Sequence, residues 1–525
     1  MNKAITYLII LLNSIICSGS PIQKTQPVIK NKANGEHVFN VKDFGALGDG
    51  LHLDSDAINK TIDAAFKSGG GTVYFPAGNY LSFSIRLKSN ISLYLSAGST
   101  IIAANMEEHH GKYDDPEPNI WGDSLQYQDF GHSHFRNSLI WGEDLDNVSI
   151  LGPGLIHGKG LQKWGKTTPG LGNKSIALKK CRNVILRDFT VLHGGHFAIL
   201  ATGVDNMAIN NLKIDTNRDA IDIDCCRHVK ISDCSLNSPN DDALVLKASY
   251  ALGYAAPTEN ITITNCAVYG YDEGTFLDGT YKTTQKAAPD KGVVTGRIKL
   301  GTESNGAFRN ITISNCTFQH CRGLALETVD GSVLENITVT NIVMDNILNA
   351  PFFFRLGRRM RGPAEMAVGS LKHVLIDNVI ITASNPQYGS MLMGIPGHDV
   401  EDIVFSNIMI KIKGGATKQQ GAVIVPENET SYPDPQEFGK IPAYGFYIRH
   451  ARNITMHHIT LEFENPDYRP AFILEDVKGA DFSDIKVQIM PGVPIFDLKD
   501  VSNFSIHRIN NLKDKTIKAV KSLKL

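Results

Sequence analysis

Thr216 Asn217 Arg218 Asp219 Ala220 Ile221 Asp222 Ile223 Asp224 is followed, after a cysteine-containing segment, by Asn240 Asp241 Asp242 Ala243 Leu244 Val245 Leu246 Lys247 Ala248 Ser249. Each phrase sets acidic residues inside a short, apolar, β-branched run, the composition of a strand. Asp241 lies 22 residues after Asp219, and that spacing decides the fold. If one turn of a solenoid takes roughly 20–25 residues, the two clusters fall on neighbouring coils whose strands stand about 4.8 Å apart. Asp219, Asp241 and Asp242 then share one patch of surface, as cleavage of a glycosidic bond by carboxylates requires.

The segment between the clusters carries the repeating unit. His228 Val229 Lys230 Ile231 has counterparts in Asn147 Val148 Ser149 Ile150, Asn183 Val184 Ile185 Leu186, Asn260 Ile261 Thr262 Ile263 and Asn310 Ile311 Thr312 Ile313. Asn336 Ile337 Thr338 Val339, Asn453 Ile454 Thr455 Met456 and Asn503 Phe504 Ser505 Ile506 continue the series. Copies opening at 183, 206 and 228 are 23 and 22 residues apart, those at 310 and 336 are 26 apart, and gaps of 50 and 51 residues mark insertions. A period in the twenties with alternating apolar residues predicts an all-β chain, a right-handed, single-stranded parallel β-helix. The opening Asn is expected to build a ladder of side-chain hydrogen bonds at a turn, although Asn-Ile-Thr also matches the glycosylation sequon. Cys234, Cys266 and Cys316 occupy one slot of the repeat, which predicts stacked buried thiols in preference to disulfides or metal ligands.

Three regions divide the chain. Residues 1–20 read as a signal peptide, with Lys3, an apolar core from Ala4 to Ile16, and small residues Ser18 Gly19 Ser20. Export is therefore expected; Cys17 raises a lipid anchor, against which Ile16 stands where a small residue is wanted. A polar linker, 21–37, leads into the β-helix at 38–525. Near its start, Ile58, Ile62, Ala65 and Phe66 recur at helical spacing within Asp54 to Lys67, and Gly69 Gly70 Gly71 stops the pattern. This predicts a short helix capping the first coil.

Lys plus Arg total 52 against 54 Asp plus Glu, with a pI near 6.8. Such a balance offers no field to draw nucleic acid or a membrane surface, and no second apolar segment follows the leader to span one. A monomer acting on a saccharide, without cofactor or metal, is the expectation. No P-loop, GxSxG elbow, HExxH pair or Rossmann fingerprint in a βαβ setting is present.

Asp241 and Asp242 are adjacent, so in a regular strand one would face the apolar core; a bend that brings both to the surface is expected instead. Carboxylates packed beside Asp219 cannot all ionise freely, which raises at least one pKa. The raised group suits a general acid and an ionised neighbour suits a general base; the plain alternatives are calcium binding or hydrogen bonds to turn amides. Arg297 and Lys299, two apart on a strand, project from one face and suit an acidic sugar. Their plain alternative is an ion-pair ladder with Glu303 or Glu327. His196, 23 residues before Asp219, is placed one coil earlier in the cleft. Met106 to Arg136 and Thr275 to Val294 are long enough to form cleft walls.

These phrases resemble glycoside hydrolase family 28, the polygalacturonases and rhamnogalacturonan-acting hydrolases, whose pectin lyase-like β-helix the repeats already suggest. Asn217 to Asp222 is similar to the family's Asn-Thr-Asp-Gly-Ile-Asp, and Asp241 to Ala248 to its Asp-Asp-Cys-Ile-Ala-Ile-Lys-Ser. Asp43 to Gly50, with Gly69 to Pro76, resembles the start shared by many pectin-acting β-helix proteins; the likeness runs roughly from Phe39 to Ile448. It implies Asp241 as general acid, with Asp219 and Asp242 positioning and deprotonating the water, in an inverting hydrolysis of plant cell-wall pectin. His196, Arg218, Asp222, Lys247, Arg297, Lys299 and Glu327 are the candidate substrate contacts. Two departures stand out. The family's Gly-His-Gly aligns near Thr295 Gly296 Arg297, where there is no His, and its Arg-Ile-Lys aligns with Ala325 Leu326 Glu327, where the charge is reversed. The expectation is that Arg297 and Lys299 take over the acid-sugar contact from one coil earlier. Two other readings stay open: a calcium-dependent lyase using Asp219, Asp222 or Asp224 with Arg297 for β-elimination, and a non-catalytic glycan-binding β-helix.

Overall fold

Asn147, Asn183, Asn206, Asn260, Asn310 and Asn336, which open copies of the repeat, all have positive φ, between 55° and 60°. This left-handed backbone costs most side chains about 1–2 kcal/mol, and Asn tolerates it because its short amide can hydrogen-bond locally. The chain turns a corner there and the carboxamides stack. Asn183 Nδ2 donates to Asn147 Oδ1 at 2.9 Å, Asn206 Nδ2 to Asn183 Oδ1 at 2.8 Å, and Asn336 Nδ2 to Asn310 Oδ1 at 3.1 Å. A second ladder, Asn211, Asp233, Asn265, Asn315 and Asn341, with φ of 54° to 59°, turns the next corner. The Asn amides are thus engaged coil to coil, as the repeat predicts.

The structure, a computed structural model, describes residues 37–525 apart from 120, 122–125, 129–130, 166–167 and 290–291. The leader, Cys17 and the linker up to residue 36 lie outside the described residues.

Between corners each coil supplies three strands. Phe197–Thr202, Asp205–Asn210 and Lys213–Asp215 form one coil; Asp219–Asp224, Arg227–Ser232 and Ser235–Asn237 the next; Leu244–Ala248, Thr258–Thr264 and Ala267–Tyr269 the third. Each pairs in parallel with its equivalent one coil on, giving the expected right-handed parallel β-helix. Inward positions stack identical chemistry: Ile199 lies beside Ile221, Ile221 beside Leu244, and Leu244 beside Ile298, all with no exposure. Burying each such side chain contributes about 1.5–3 kcal/mol.

The ends are protected differently. Helix Ser55–Lys67 buries Ala57, Ile58, Ile62 and Ala65 against the first strands, Val38–Asn40 and Gly71–Phe75, as a cap should. Phe66, expected on that apolar face, is instead 45% exposed, with the Lys88 ammonium 5.2 Å over its ring. At the other end Lys515–Lys524 runs antiparallel to Phe496–His507 and covers the last strand edge; its lysines blunt the new edge against further pairing. Cys234, Cys266 and Cys316 are free and buried, as their shared slot predicts. Among the described residues no helix is long and apolar enough to cross a membrane.

Candidate active site

Ile221 pairs with Leu244, which sets the carboxylate strand Asp219–Asp224 directly beside Leu244–Ala248. The residues just before Leu244 do not continue the strand. Ser238 Oγ donates to the Asp241 carbonyl at 3.0 Å, Gly296 N to the same oxygen at 2.9 Å, and Ala220 N to the Asp242 carbonyl at 3.3 Å. These bonds hold a bend from which both side chains reach the outer face, as their adjacency requires. Oxygens of Asp219, Asp241 and Asp242 lie within 4.8 Å of one another. Together they line one pocket of about 360 Å³, with Arg218, Lys247, Lys299 and Arg361 as its cations.

The three carboxylates have unequal company. Arg218 Nη2 is 2.5 Å from Asp241 Oδ2, and its guanidinium stacks 4.4 Å from the Trp164 ring. Asp242 is held from two sides, by Arg297 Nε at 2.8 Å and Lys299 Nζ at 3.3 Å. Asp219 has no hydrogen-bond or ion-pair partner among the described residues. Burial, and next the charge of Asp241, push its pKa well above the ordinary carboxylate value.

A stability test follows from that shift. A carboxyl whose pKa is raised by folding binds more protons in the native state, so it removes stability as pH rises from the ordinary carboxylate value through the raised one. Asp219→Asn removes this penalty. The variant is expected to be more stable than the parent at pH 8 by about 1–3 kcal/mol, with the difference vanishing toward pH 4; urea midpoints at the two pH values measure it. A variant less stable than the parent at pH 8 would show Asp219 to be held by partners after all.

Lys247, on the Asp242 coil, sits in a buried charge network. Its Nζ is 3.1 Å from Asp222 Oδ2, 3.5 Å from Glu303 Oε2 and 3.2 Å from His132 Nδ1. Burial would lower its pKa, but the charges of Asp222 and Glu303 outweigh this and raise it well above the usual value. Asp222 itself is fully buried beneath the pocket, also 3.3 Å from His132 Nε2. It anchors Lys247 rather than facing a ligand.

Arg218, Lys247 and Lys299 therefore stand on the pocket wall, whereas four other expected substrate contacts do not. Asp222 is one. Arg297 and Glu327 are two more: Glu327, with no exposure, lies 3.6 Å from Arg297 Nη2 and 3.5 Å from Lys299 Nζ. Strand alternation does bring Arg297 and Lys299 to the outer face, where Arg297 is enclosed between Asp242 and Glu327, while Lys299, paired with the same two carboxylates, still lines the pocket. The arrangement is the ion-pair ladder, because a cation at that depth must find a counter-charge in the protein. His196 is the fourth; its Nδ1 faces the Lys163 carbonyl at 2.8 Å and its ring packs on Phe197 at 4.7 Å.

Other pocket residues come from insertions. Tyr432, Asp434, Gln436 and Glu437, between strands Val400–Gly414 and Phe446–Asn465, close one side. Arg322 fixes that side, with Nη1 2.5 Å from Asp434 and Nη2 donating to the Val293 carbonyl at 3.0 Å. His132, which is buried against Lys247 and Asp222 and does not line the pocket, comes from the Met106 to Arg136 insertion. Nothing in the repeat points to these residues, since insertions have no period.

The model described as "Glycosyl hydrolases family 28" matches residues 124–430, and "Rhamnogalacturonase A/epimerase, pectate lyase-like" matches residues 38–127. A "Probable polygalacturonase" of Vitis vinifera is 23% identical over 440 residues, covering 78% of this chain and 81% of that one. Among solved structures, an exopolygalacturonase from Thermotoga maritima superposes with a TM-score of 0.59 at 18% identity, covering 94% of this chain and 96% of that chain. The family 28 exopolygalacturonase of Yersinia enterocolitica gives 0.60 at 18% identity, over 86% and 79%. At such identities both are likenesses of fold.

Proposed function

The chain belongs to glycosyl hydrolases family 28, and we propose on that footing that it cleaves α-glycosidic bonds of an acidic pectic polysaccharide, galacturonan or rhamnogalacturonan, with inversion. Membership makes it a glycoside hydrolase and replaces the lyase and the non-catalytic binder as reaction class. One observation carries the finer reading: three carboxylates meet in a pocket whose wall also holds four cations, Arg218, Lys247, Lys299 and Arg361, alongside Glu303, Asp434 and Glu437. Cations so placed meet the carboxylate of an acidic sugar. We place the reaction outside the cytoplasm on the strength of the leader-like residues 1–20.

Oxygens of Asp219 and Asp241 lie within 4.8 Å of each other, near enough for the charge of one to favour a proton on the other, and burial favours keeping that proton. With the proton on Asp241 it passes to the leaving oxygen as the glycosidic bond breaks. Asp219 and Asp242 are then left to hold a water and take its proton while its oxygen bonds to the anomeric carbon. The nearest carboxylate oxygens lie within 4.8 Å, closer than the about 6.5–9.5 Å separation of most inverting pairs. Three carboxylates relax that limit, since two can grip the water while the third donates.

The test is incubation of the purified protein, in EDTA, with galacturonan and rhamnogalacturonan oligosaccharides, following reducing ends, unsaturated product and the anomer first released. Reducing ends of inverted configuration, without unsaturated product, are expected. Retained configuration would overturn the roles given to the carboxylates, and hydrolysis confined to neutral glycans would overturn the substrate class. Lys299→Ala is expected to weaken binding of acidic oligosaccharides about tenfold, the loss of one charge-assisted contact of about 1.5 kcal/mol. Unchanged affinity would remove Lys299 from the substrate contacts.

A further inference from the structure

The outer face of the sheet that bears the carboxylates changes chemistry along the axis of the solenoid. One outward row can be followed coil by coil through its pairings. It begins with Trp141, Ala177 and Leu200, apolar. Asp222, Val245 and Lys299 come next, two charged residues either side of an apolar one, on the coils of the site. Ala325, Phe353, Met391 and Tyr447 follow, mainly apolar again.

Both apolar stretches are roofed. On the N-terminal side Phe135, from the insertion before strand Ile140–Glu143, packs with Ala251 over Ala177, Phe197 and Leu200. On the C-terminal side Val425, Phe438 and Ile441 pack over Phe353, Met391 and Tyr447. Hydrogen bonds fasten that second roof: Arg355 Nη2 donates to the Glu427 carbonyl at 2.8 Å and Arg449 Nη1 to the Val425 carbonyl at 2.8 Å. The first roof reaches the pocket rim, where Arg361 Nη2 donates to the Gln128 carbonyl.

A polysaccharide cut in mid-chain must lie along such a face and leave at both ends. Among the described residues the pocket between the two roofs lies over the three coils that carry Asp219, Asp242 and Lys299, about 10 Å at the strand spacing. The pocket of about 360 Å³ is at the small end of the about 300–1,000 Å³ that small-molecule sites occupy. From these two roofs we propose that the enzyme is exo-acting: the pocket takes the terminal sugar of the chain, and the rest leaves through the mouth as the aglycone. The sugar in the pocket then carries the anomeric carbon that meets Asp219, Asp241 and Asp242, so attack proceeds from the non-reducing end. This inference rests on the hydrolase reading above.

Long galacturonan and rhamnogalacturonan oligosaccharides carrying a fluorescent amine at the reducing end test it with the unmodified protein, product sizes being read by chromatography from the first per cent of turnover. The labelled chain should shorten by single steps while unlabelled monosaccharide accumulates. Labelled fragments of mixed length at the earliest times would overturn the inference and leave the hydrolase reading intact. Labelled monosaccharide would overturn the direction of attack, and absence of cleavage across both series would overturn the inference together with the reading it rests on. A parallel series whose non-reducing sugar is unsaturated should be cut at least tenfold more slowly than its saturated counterpart; equal rates would again mean mid-chain attack.

Discussion

Asp241→Asn is expected to lower kcat on pectic oligosaccharides by about 10²–10⁴-fold, the usual contribution of a positioned proton donor, with the fold intact. The substitution keeps the shape of the side chain and a hydrogen-bond acceptor for Arg218, which faces the carboxylate at 2.5 Å. It removes the proton that the leaving oxygen needs. KM should move little, because Arg218, Lys247 and Lys299 remain on the wall and their contacts are made before the bond breaks. Asp219→Asn and Asp242→Asn should each fall into the same range, and the pairs should fall no further, since groups acting as one unit are not additive. Circular dichroism and steady-state rates on the three variants decide it. An Asp241→Asn enzyme within tenfold of the parent would mean that the proton comes from Asp219, the carboxyl with the raised pKa.

How much of this was legible in the chain depends on what the repeat governs. The spacing of Asp219 and Asp241 announced neighbouring coils, and Ile221 does pair with Leu244, because a period near the length of one coil leaves no other stacking. The Asn that opens most copies announced its corner, since Asn accepts positive φ more readily than most side chains. The bend at Asp241 and Asp242 followed from the cost of turning either carboxylate inward. What alternation could not supply was the group opposite. Arg297 and Lys299 were placed on the right face, yet whether they meet a sugar or a carboxylate depends on Glu327, one coil on, and on the bend that delivers Asp242. Phe66 shows the same limit at the N-terminal helix, where helical spacing named the apolar side but not its width. Tyr432, Asp434 and His132 were out of reach for a different reason. They ride on insertions whose course is set by tertiary contacts, such as Asp434 with Arg322 and His132 with Lys247.

Arg297→Leu should produce the largest loss of stability of any single change near the site. Arg297 is 3% exposed and lies between Asp242 at 2.8 Å and Glu327 at 3.6 Å. Leucine leaves Lys299 alone to balance two buried carboxylates, and breaking such an arrangement costs about 3–5 kcal/mol. The lowered urea midpoint should recover in part as pH falls. Burial already raises the Glu327 pKa even though Lys299 and Arg297 oppose it, so without Arg297 the carboxyl takes up a proton more readily and the unpaired charge disappears. Adding Glu327→Leu tests the pairing itself. It removes the surplus anion and restores the balance of Asp242 with Lys299, and a buried ion pair replaced by apolar groups is often neutral or stabilising. The double variant should therefore regain most of the lost stability, and with it a held Asp242 and much of the rate. Were Arg297 a substrate contact instead, the single variant would raise KM, leave the urea midpoint near that of the parent, and gain nothing from Glu327→Leu.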